Sequence, residues 1–398
     1  MSRSLITGID IGTHHIKVVI TDSSEKNTKS EYKNQPKVVA TGVAETRGMR
    51  HGYILNVADV ASSILEAVNQ AEKKAETKVK KAFISIGGIG LSSITSSSSV
   101  IISRADLEIT SLDIKKVQEQ CEKDIPPAMS LNKKIIHSIP VQYKVDGRVV
   151  LGKPEGMKGS KFEVKTLYIT CLEQHLNDII ESVEEAGISV QDVMASPIAS
   201  SLVTLTKSQK IAGCILVNIG AETVSAAVFE NNIPSSLEVF PIGSTDITND
   251  IALGLKVPLE EAEQIKIGAI TGTSYPRKKL EEIVTARLSD IFELIEAHLK
   301  KIGRNGLLPA GIVLTGGGAS LSGIEEMAKN ALRLPSRVGT LNLGLNDKNG
   351  LKDSSWAVAY GLCVLGMHAD EDMPLDSGDR FFNDLKKTVM AWLRQFLP

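Results

Sequence analysis

Asp10, Gly12, Thr13 and Lys17 fall within one short stretch, Ile9-Asp10-Ile11-Gly12-Thr13-His14-His15-Ile16-Lys17, that joins two apolar runs. A glycine in a tight turn between strands lets the backbone approach an anion with its N–H groups forward, because no Cβ stands in the way. Thr13 supplies a hydroxyl, His14 shares the turn, and Lys17 brings positive charge just beyond it. Asp10 has the chemistry to hold hydrated Mg²⁺, an ion that keeps several waters and takes few carboxylates. The same plan recurs far along the chain. An apolar run from Cys214 ends in Asn218-Ile219, the turn is Gly220-Ala221-Glu222-Thr223, and a second run goes from Val224 to Phe229. A third strand follows each pair, Pro36 to Glu45 and Ile233 to Pro241. A repeat of this range implies two similar α/β domains facing each other across a cleft, their turns holding opposite sides of a polyphosphate.

Two further pieces suit a nucleoside. The run Gly311 to Thr315 leads into Gly316-Gly317-Gly318, where glycines permit close approach by a flat purine and ribose. Glu263 and Lys266 stand three apart on a helical pattern, so both point the same way. The carboxylate can accept from ribose hydroxyls while the lysine stem packs on the base. Taken singly, a plain strand-to-helix turn and a solvated ion pair are the alternatives.

The elements that must position these residues are legible from periodicity. Val57 to Ala75 reads as a helix and Lys81 to Ile86 as a strand closed by Gly87-Gly88. From Gly90 to Gly159 the character changes to a Ser-rich strand pair (Ile94 to Ser103), a short helix (Leu112 to Cys121) and a second strand pair (Lys134 to Tyr143, Arg148 to Leu151), an inserted α+β subdomain. A strand (Glu163 to Cys171), a helix (Gln174 to Ala186) and a strand (Val190 to Ala195) then restore the rhythm of a parallel sheet. Asp246 to Leu253, Pro258 to Gly268 and Leu280 to Ile302 make a helical insert in the second domain. Ile324 to Leu332 and Ser354 to Met367 are the last helices before an acidic tether. The resulting division is residues 1–86 and 160–200 with 354–369, an insert at 87–159, a second domain at 201–243 and 306–353, a helical subdomain at 244–305, a linker at 370–380 and a terminal helix at 381–398.

Composition narrows the classes. The chain has 398 residues, too many for one ordinary core, and its 42% hydrophobic and 23% charged content is that of a globular protein. A net charge of -2 gives no basic footprint for nucleic acid. Cys121, Cys171, Cys214 and Cys363 show neither disulfide nor zinc spacing and read as buried small hydrophobes in a reducing compartment. Met1 to Ser4 runs straight into a strand without a signal-peptide pattern, so a cytoplasmic chain is expected. Its C-terminal end still suits a membrane surface. Phe381, Phe382, Leu385, Val389, Trp392, Leu393, Phe396 and Leu397 fall on one helical face, with Lys386, Lys387 and Arg394 toward the other. Basic side chains near an anionic leaflet contribute about 1 kcal/mol each. A helix docked on the protein's own core is the competing reading.

The order of the pieces, first turn, second turn, adenosine helix and adenosine Gly-rich loop, is similar to that of the actin, Hsp70 and sugar-kinase superfamily. Within it the chain resembles the FtsA family of bacterial cell-division proteins over nearly its whole length. Ile9 to Thr13, Glu155-Gly156-Met157-Lys158-Gly159, Asp250-Ile251-Ala252 with Ala262 to Lys266, and Gly311 to Gly318 carry the likeness, together with the insert and the terminal helix. The resemblance implies an actin-like (ribonuclease H-like) α/β fold of two domains and a nucleotide cleft, with ATP and Mg²⁺ as ligands. It implies self-assembly into filaments, an FtsZ C-terminal peptide bound by the helical subdomain, anionic membrane lipids at the terminal helix, other division proteins as partners, and a peripheral place on the cytoplasmic membrane at the division site. Arg287, Lys300, Lys301 and Arg304 could meet an acidic peptide there.

The second turn departs from the Asp-Ile-Gly-Gly-Gly-Thr common in that family. Asn218 replaces the aspartate and cannot accept a proton from water. Ala221 and Glu222 crowd the backbone, Glu222 adds an anion near phosphates, and Ser225 stands where another aspartate is common. ATP binding with slow or absent hydrolysis is therefore expected. A PilM-type pilus scaffold and a sugar kinase are the alternatives, and Asn218 stands where a kinase would need its catalytic aspartate.

Overall fold

The structure is a computed structural model, and it describes residues 4–27, 35–269, 275–341 and 353–371. The C-terminal segment read as a membrane-binding helix, Phe381 to Leu397, lies outside the described residues, as does most of the linker.

In chain order, β1 (Leu5–Ile11), β2 (His15–Asn27) and β3 (Gln35–Glu45) form a meander, followed by the hairpin β4 (Met49–Arg50) and β5 (Tyr53–Ile54). Next come α1 (Val57–Ala75), β6 (Lys81–Ile86), β7 (Ser92–Ile101), α2 (Ser111–Lys123), α3 (Pro127–Ser130), β8 (Lys133–Val145), β9 (Arg148–Val150) and β10 (Lys161–Leu172). Then α4 (Glu173–Glu185), β11 (Ser189–Ala195), α5 (Ser196–Thr204) and α6 (Lys207–Ala212) lead to the second meander, β12 (Cys214–Ile219), β13 (Val224–Glu230) and β14 (Ile233–Phe240). The chain continues through α7 (Ser244–Leu255), α8 (Leu259–Lys266), α9 (Arg277–Lys301), β15 (Ile312–Thr315), α10 (Ile324–Leu332), β16 (Ser336–Val338) and α11 (Ala357–Glu371).

The repeat read from sequence is present as two five-stranded sheets of one topology. Their orders are β11-β6-β1-β2-β3 and β14-β13-β12-β15-β16, which superpose as mirror lists of the same sheet. β1 and β12 pair antiparallel with the next strand and parallel with β6 or β15. Both central strands are buried nearly throughout, as expected where helices cover two faces. α1 shows how such a layer is specified. Asn56 caps it by accepting from the Asp59 N–H, Lys73 and Lys74 sit in its last turn, and Val60, Ile64, Ala67, Val68 and Ala71 form its buried stripe.

Alternation along β12 divides the second sheet between two cores. Ile215, Val217 and Ile219 pack with α7, α8, α9 and α10, while Cys214 and Leu216 face the other way and join the first domain's core with Ile198 of α5 and Leu362 of α11. The two halves therefore share one continuous apolar core at the base of the cleft.

The insert has its own antiparallel sheet, β7-β10-β8-β9, with α2 packed on it around Val117, Cys121, Phe162 and Tyr168. Three expectations change here. The Ser-rich stretch is one strand, not a pair, and β7 lies along β10. The strand around Glu163 to Cys171 does not resume the parallel sheet, because β10 pairs with β7 and β8 on either side. α11 also continues to Glu371, into the stretch read as tether. The insert lies against the edge strand β14 of the second domain through β7, β8 and β10, and there Ser93 Oγ accepts from the Leu237 N–H (2.8 Å) and donates to its carbonyl (2.9 Å).

All four cysteines are free and buried. Among buried ionisable groups, Asp192 on β11 is 3% exposed, and its Oδ2 lacks a hydrogen-bond partner among the described residues. Burial pushes its carboxyl up to about 7, against one hydrogen bond from the Val193 N–H. The native state thus keeps a proton that the unfolded chain has lost between the ordinary carboxylate pKa and about 7. Its stabilising contribution is full below that window and is lost as pH rises through it. Asp192→Asn resembles the protonated acid. It is expected to exceed the parent's stability at alkaline pH by about 1–3 kcal/mol and to match it in acid, read from urea melts at both pH values.

Candidate functional site

Both turns are four residues long by strand register. Ile11 pairs with Ile16 and Ile219 with Val224, which puts Asp10 opposite Lys17 and Asn218 opposite Ser225. Each turn is held from behind through its carbonyls, by the segment after its own third strand. Thr46 donates its hydroxyl to the Gly12 carbonyl (2.7 Å) and its N–H to that of His14 (3.0 Å). At the head of α7, Ser244 and Thr245 donate to the carbonyls of Gly220 (2.9 Å) and Ala221 (2.8 Å). In a trans peptide the N–H lies opposite the C=O. The N–H groups of Thr13 and His15, and of Ala221 and Glu222, are thereby turned away from those supports.

The two turns open on one cleft of about 700 Å³. Its walls include Asp10, Gly12, Thr13, His14 and Lys17 from the first domain, and Gly220, Ala221, Thr223, Glu263, Lys266 and Gly316 to Gly318 from the second. Of the nucleotide and metal residues expected from sequence, only Glu222 is absent from the walls. Its side chain reaches instead to His51 of the first domain, where its carboxylate accepts from the backbone N–H.

Asp10 accepts a hydrogen bond from Ser85 Oγ (2.8 Å), which in turn accepts from the Ile11 N–H (3.1 Å). Burial raises the Asp10 pKa, opposed by Lys17 and Ser85, and burial lowers that of Lys17, opposed by Asp10 and Asp353. Each charge is thus poorly solvated, which a divalent cation at Asp10 and phosphates near Lys17 would offset. A single carboxylate fits Mg²⁺ that keeps most of its waters. Lys17 Nζ donates to the Ser355 carbonyl (2.9 Å) and lies 5.7 Å from the Trp356 ring centroid.

On the opposite wall Lys266 spends its ammonium on protein: Glu263 Oε2 (2.7 Å), Thr248 Oγ1 (2.8 Å) and the Ser244 carbonyl (3.1 Å). Only its stem is left for a ligand. Thr248 also donates to Glu263 Oε2 (2.6 Å), so Oε1 is without a partner among the described residues and can accept from a hydroxyl. Burial would raise Glu263, but the bonds from Lys266 and Thr248 hold it below the ordinary carboxylate value. The three glycines divide their work. A Cβ at Gly316 (φ 87°) would lie 2.2 Å from Asn218 Oδ1, and one at Gly318 2.4 Å from Ile219 Cγ2, whereas Gly317 has open space before it.

The basic residues proposed for a peptide do not form one cluster. Arg287 makes a two-pronged pair with Asp250 (2.7 and 3.0 Å), Arg304 binds both oxygens of Glu230 (2.8 Å each), and Lys300 pairs with Glu296 (2.9 Å). Lys301 is exposed. Arg287 and Lys300 are also about 20 Å apart along α9 at 1.5 Å per residue.

Sequence reasoning missed Thr46, Ser85, Ser355 and Trp356. Thr46 had one available signal, since it follows the third strand of the first repeat much as Ser244 follows that of the second.

Comparison with known proteins bears on both the core and the insert. The family model "Cell division protein FtsA" matches residues 215–361, and the model "SHS2 domain inserted in FTSA" matches residues 88–170. The cell division protein FtsA of Pseudomonas aeruginosa is 29% identical, covering 100% of this chain and 98% of its own length. The chain belongs to the FtsA family. The FtsA of Bacillus subtilis is 28% identical over 91% of this chain and 83% of its own length, and that of Escherichia coli 24% over 99% and 96%. Among solved structures, a chain of the PilM-PilN type IV pilus biogenesis complex aligns with TM-score 0.66 at 18% identity, covering 92% of this chain and 99% of its own. MreB5 of Spiroplasma citri bound to ADP aligns at 0.50 and 12%, covering 93% and 99%. These likenesses establish an actin-like fold for this FtsA-family chain. No helix among the described residues is long and apolar enough to cross a membrane.

Gly316→Ala and Gly318→Ala are expected to lose about 2 kcal/mol or more of stability, Gly317→Ala under about 0.5 kcal/mol. Thermal melts of the three variants compare them directly.

Proposed function

We propose that this chain is a cell-division protein that binds ATP with Mg²⁺ in the cleft, assembles with copies of itself, and tethers the FtsZ ring to the cytoplasmic face of the membrane. The observation that carries the nucleotide part is convergence: both turns, Asp10, Lys17, the Glu263–Lys266 pair and Gly317 line one cleft although they come from distant parts of the sequence. Thr13 and the turn N–H groups serve the phosphates, Asp10 the hydrated cation, Glu263 the ribose and the Lys266 stem the base. Mg²⁺, when bound, neutralises phosphate charge.

Hydrolysis is slow or absent in this reading. The residue in the second repeat that corresponds to Asp10 is Asn218, which offers no base for an attacking water. A malachite-green assay on purified protein is expected to give phosphate release at background. Asn218→Asp is expected to raise it measurably, and robust turnover by the parent would refute the assignment.

The tether is residues 381–398, with Phe381, Trp392 and Phe396 on the apolar face and Lys386 and Arg394 toward the headgroups. One such helix binds reversibly, and aligned copies in a filament hold through avidity. Sedimentation with anionic liposomes, comparing the full chain with one ending at Gly378, is expected to show pelleting only for the full chain, more so with ATP. Equal pelleting of both forms would favour a PilM-type scaffold instead, a reading that draws on the TM-score of 0.66 to the chain of the pilus complex. The FtsZ peptide and other division proteins enter from the family resemblance.

A further inference from the structure

Glu222 is the residue for which sequence and structure disagree in sign. As an anion beside phosphates it would weaken nucleotide binding, yet it is absent from the cleft walls that Gly220, Ala221 and Thr223 line. Its carboxylate crosses to the first domain. Oε2 accepts from the His51 N–H, the His51 Nδ1 lies 3.8 Å from the same oxygen, and that nitrogen is 3.4 Å from the Glu222 carbonyl.

Both ends of this contact are anchored. His51 (φ 49°) is in the turn of the β4–β5 hairpin, and the hairpin is pressed on Gly88, where a Cβ at Gly52 would lie 2.3 Å from the Gly88 Cα. Leu55 and Asn56 donate back to the Gly48 carbonyl, closing the loop that carries it. Glu222 is anchored through α7, whose first N–H groups hold the carbonyls of Gly220 and Ala221. Gly52 and Gly88 line one wall of the cleft and Ala221 the other. One side chain therefore joins a fixed element of each domain across the cleft.

We propose that Glu222 is a latch across the cleft: it fastens the second phosphate turn to the first-domain hairpin and so positions that turn and slows nucleotide release. The latch rests on the nucleotide reading above for its consequence, but not for its existence. A charged acceptor on a backbone N–H is among the stronger hydrogen bonds, and the two domains are joined elsewhere through the shared core at the base and through the insert's Ser93 on β14. Breaking it frees the mouth while leaving the hinge packed.

The sign of the effect separates the two roles. Glu222→Ala is expected to speed release of a fluorescent N-methylanthraniloyl ATP about tenfold in stopped-flow displacement. If Glu222 acted as an anion on the phosphates, the same change would slow release. A second readout needs no nucleotide. Spin labels at Leu55→Cys and Leu253→Cys, both strongly exposed, report the distance between the domains while the four native cysteines stay buried. Glu222→Ala is expected to lengthen and broaden that distance, with an unchanged thermal melt showing that the fold is retained. Release that is unchanged or slower overturns the proposal, as does an unchanged distance. Failure of the parent protein to bind the analogue would instead remove the nucleotide reading and leave the distance to decide the latch.

Discussion

Once the carbonyl of a peptide plane is engaged, the direction of its N–H is no longer free. That rule organises the cleft. Thr46 takes the carbonyls of the first turn, and the head of α7 takes those of the second, so the donors of both turns are aimed before any ligand arrives. Preorganised donors cost no reordering when an anion binds, which is where much of their value lies. The rest of the fold supplies the supports: β3 must end where Thr46 can reach back, and β14 must end where α7 can begin. Both do so, β3 ending at Glu45 just before Thr46 and β14 at Phe240 just before α7.

A cleft also needs walls that can move relative to one another without the domains separating. Here the alternation of β12 decides the outcome. One set of its side chains fills the second domain's private core, and the other set enters the core of the first domain beside α5 and α11. Apolar contact is non-directional, so a shared core tolerates small rotations while still resisting separation. Polar contacts at the mouth are directional and discriminate between open and closed positions. The shared apolar base follows from strand periodicity, whereas the polar rim is made by turn residues.

Much of this was legible in advance because local signals agreed. Val60, Ile64, Val68 and Ala71 at helical spacing gave α1, and apolar runs around glycine turns gave both meanders. The Ser-rich strand was harder. Four consecutive serines, Ser96 to Ser99, carry no period-2 hydrophobic contrast, so the sequence offered no way to tell one strand from two. β10 was assigned to the wrong sheet for a different reason: its pattern identifies a strand, but pairing partners are a tertiary choice. α5 was not anticipated because its hydroxyl-rich sequence lacks a polar face, and it is buried almost all round. At the site, the glycines and Asp10 were visible as residue types. The direction of Glu222 was not, since turn side chains are aimed by what surrounds them. Nor was it visible that Arg287 and Arg304 already have carboxylates of their own.

The hydroxyl of Ser93, which reaches from β7 to the edge strand β14, has a consequence for how the chain is made. An edge strand presents unpaired backbone groups that invite another chain, and β14 is such an edge. Ser93 and Leu237 are 144 residues apart, so at ribosomal speeds Ser93 emerges roughly 7–29 s before the strand it covers, and the insert's last strand β10 also precedes β14. During synthesis the guard is therefore in place before the vulnerable edge exists, and the nascent second sheet meets its own insert ahead of any neighbour on the polysome.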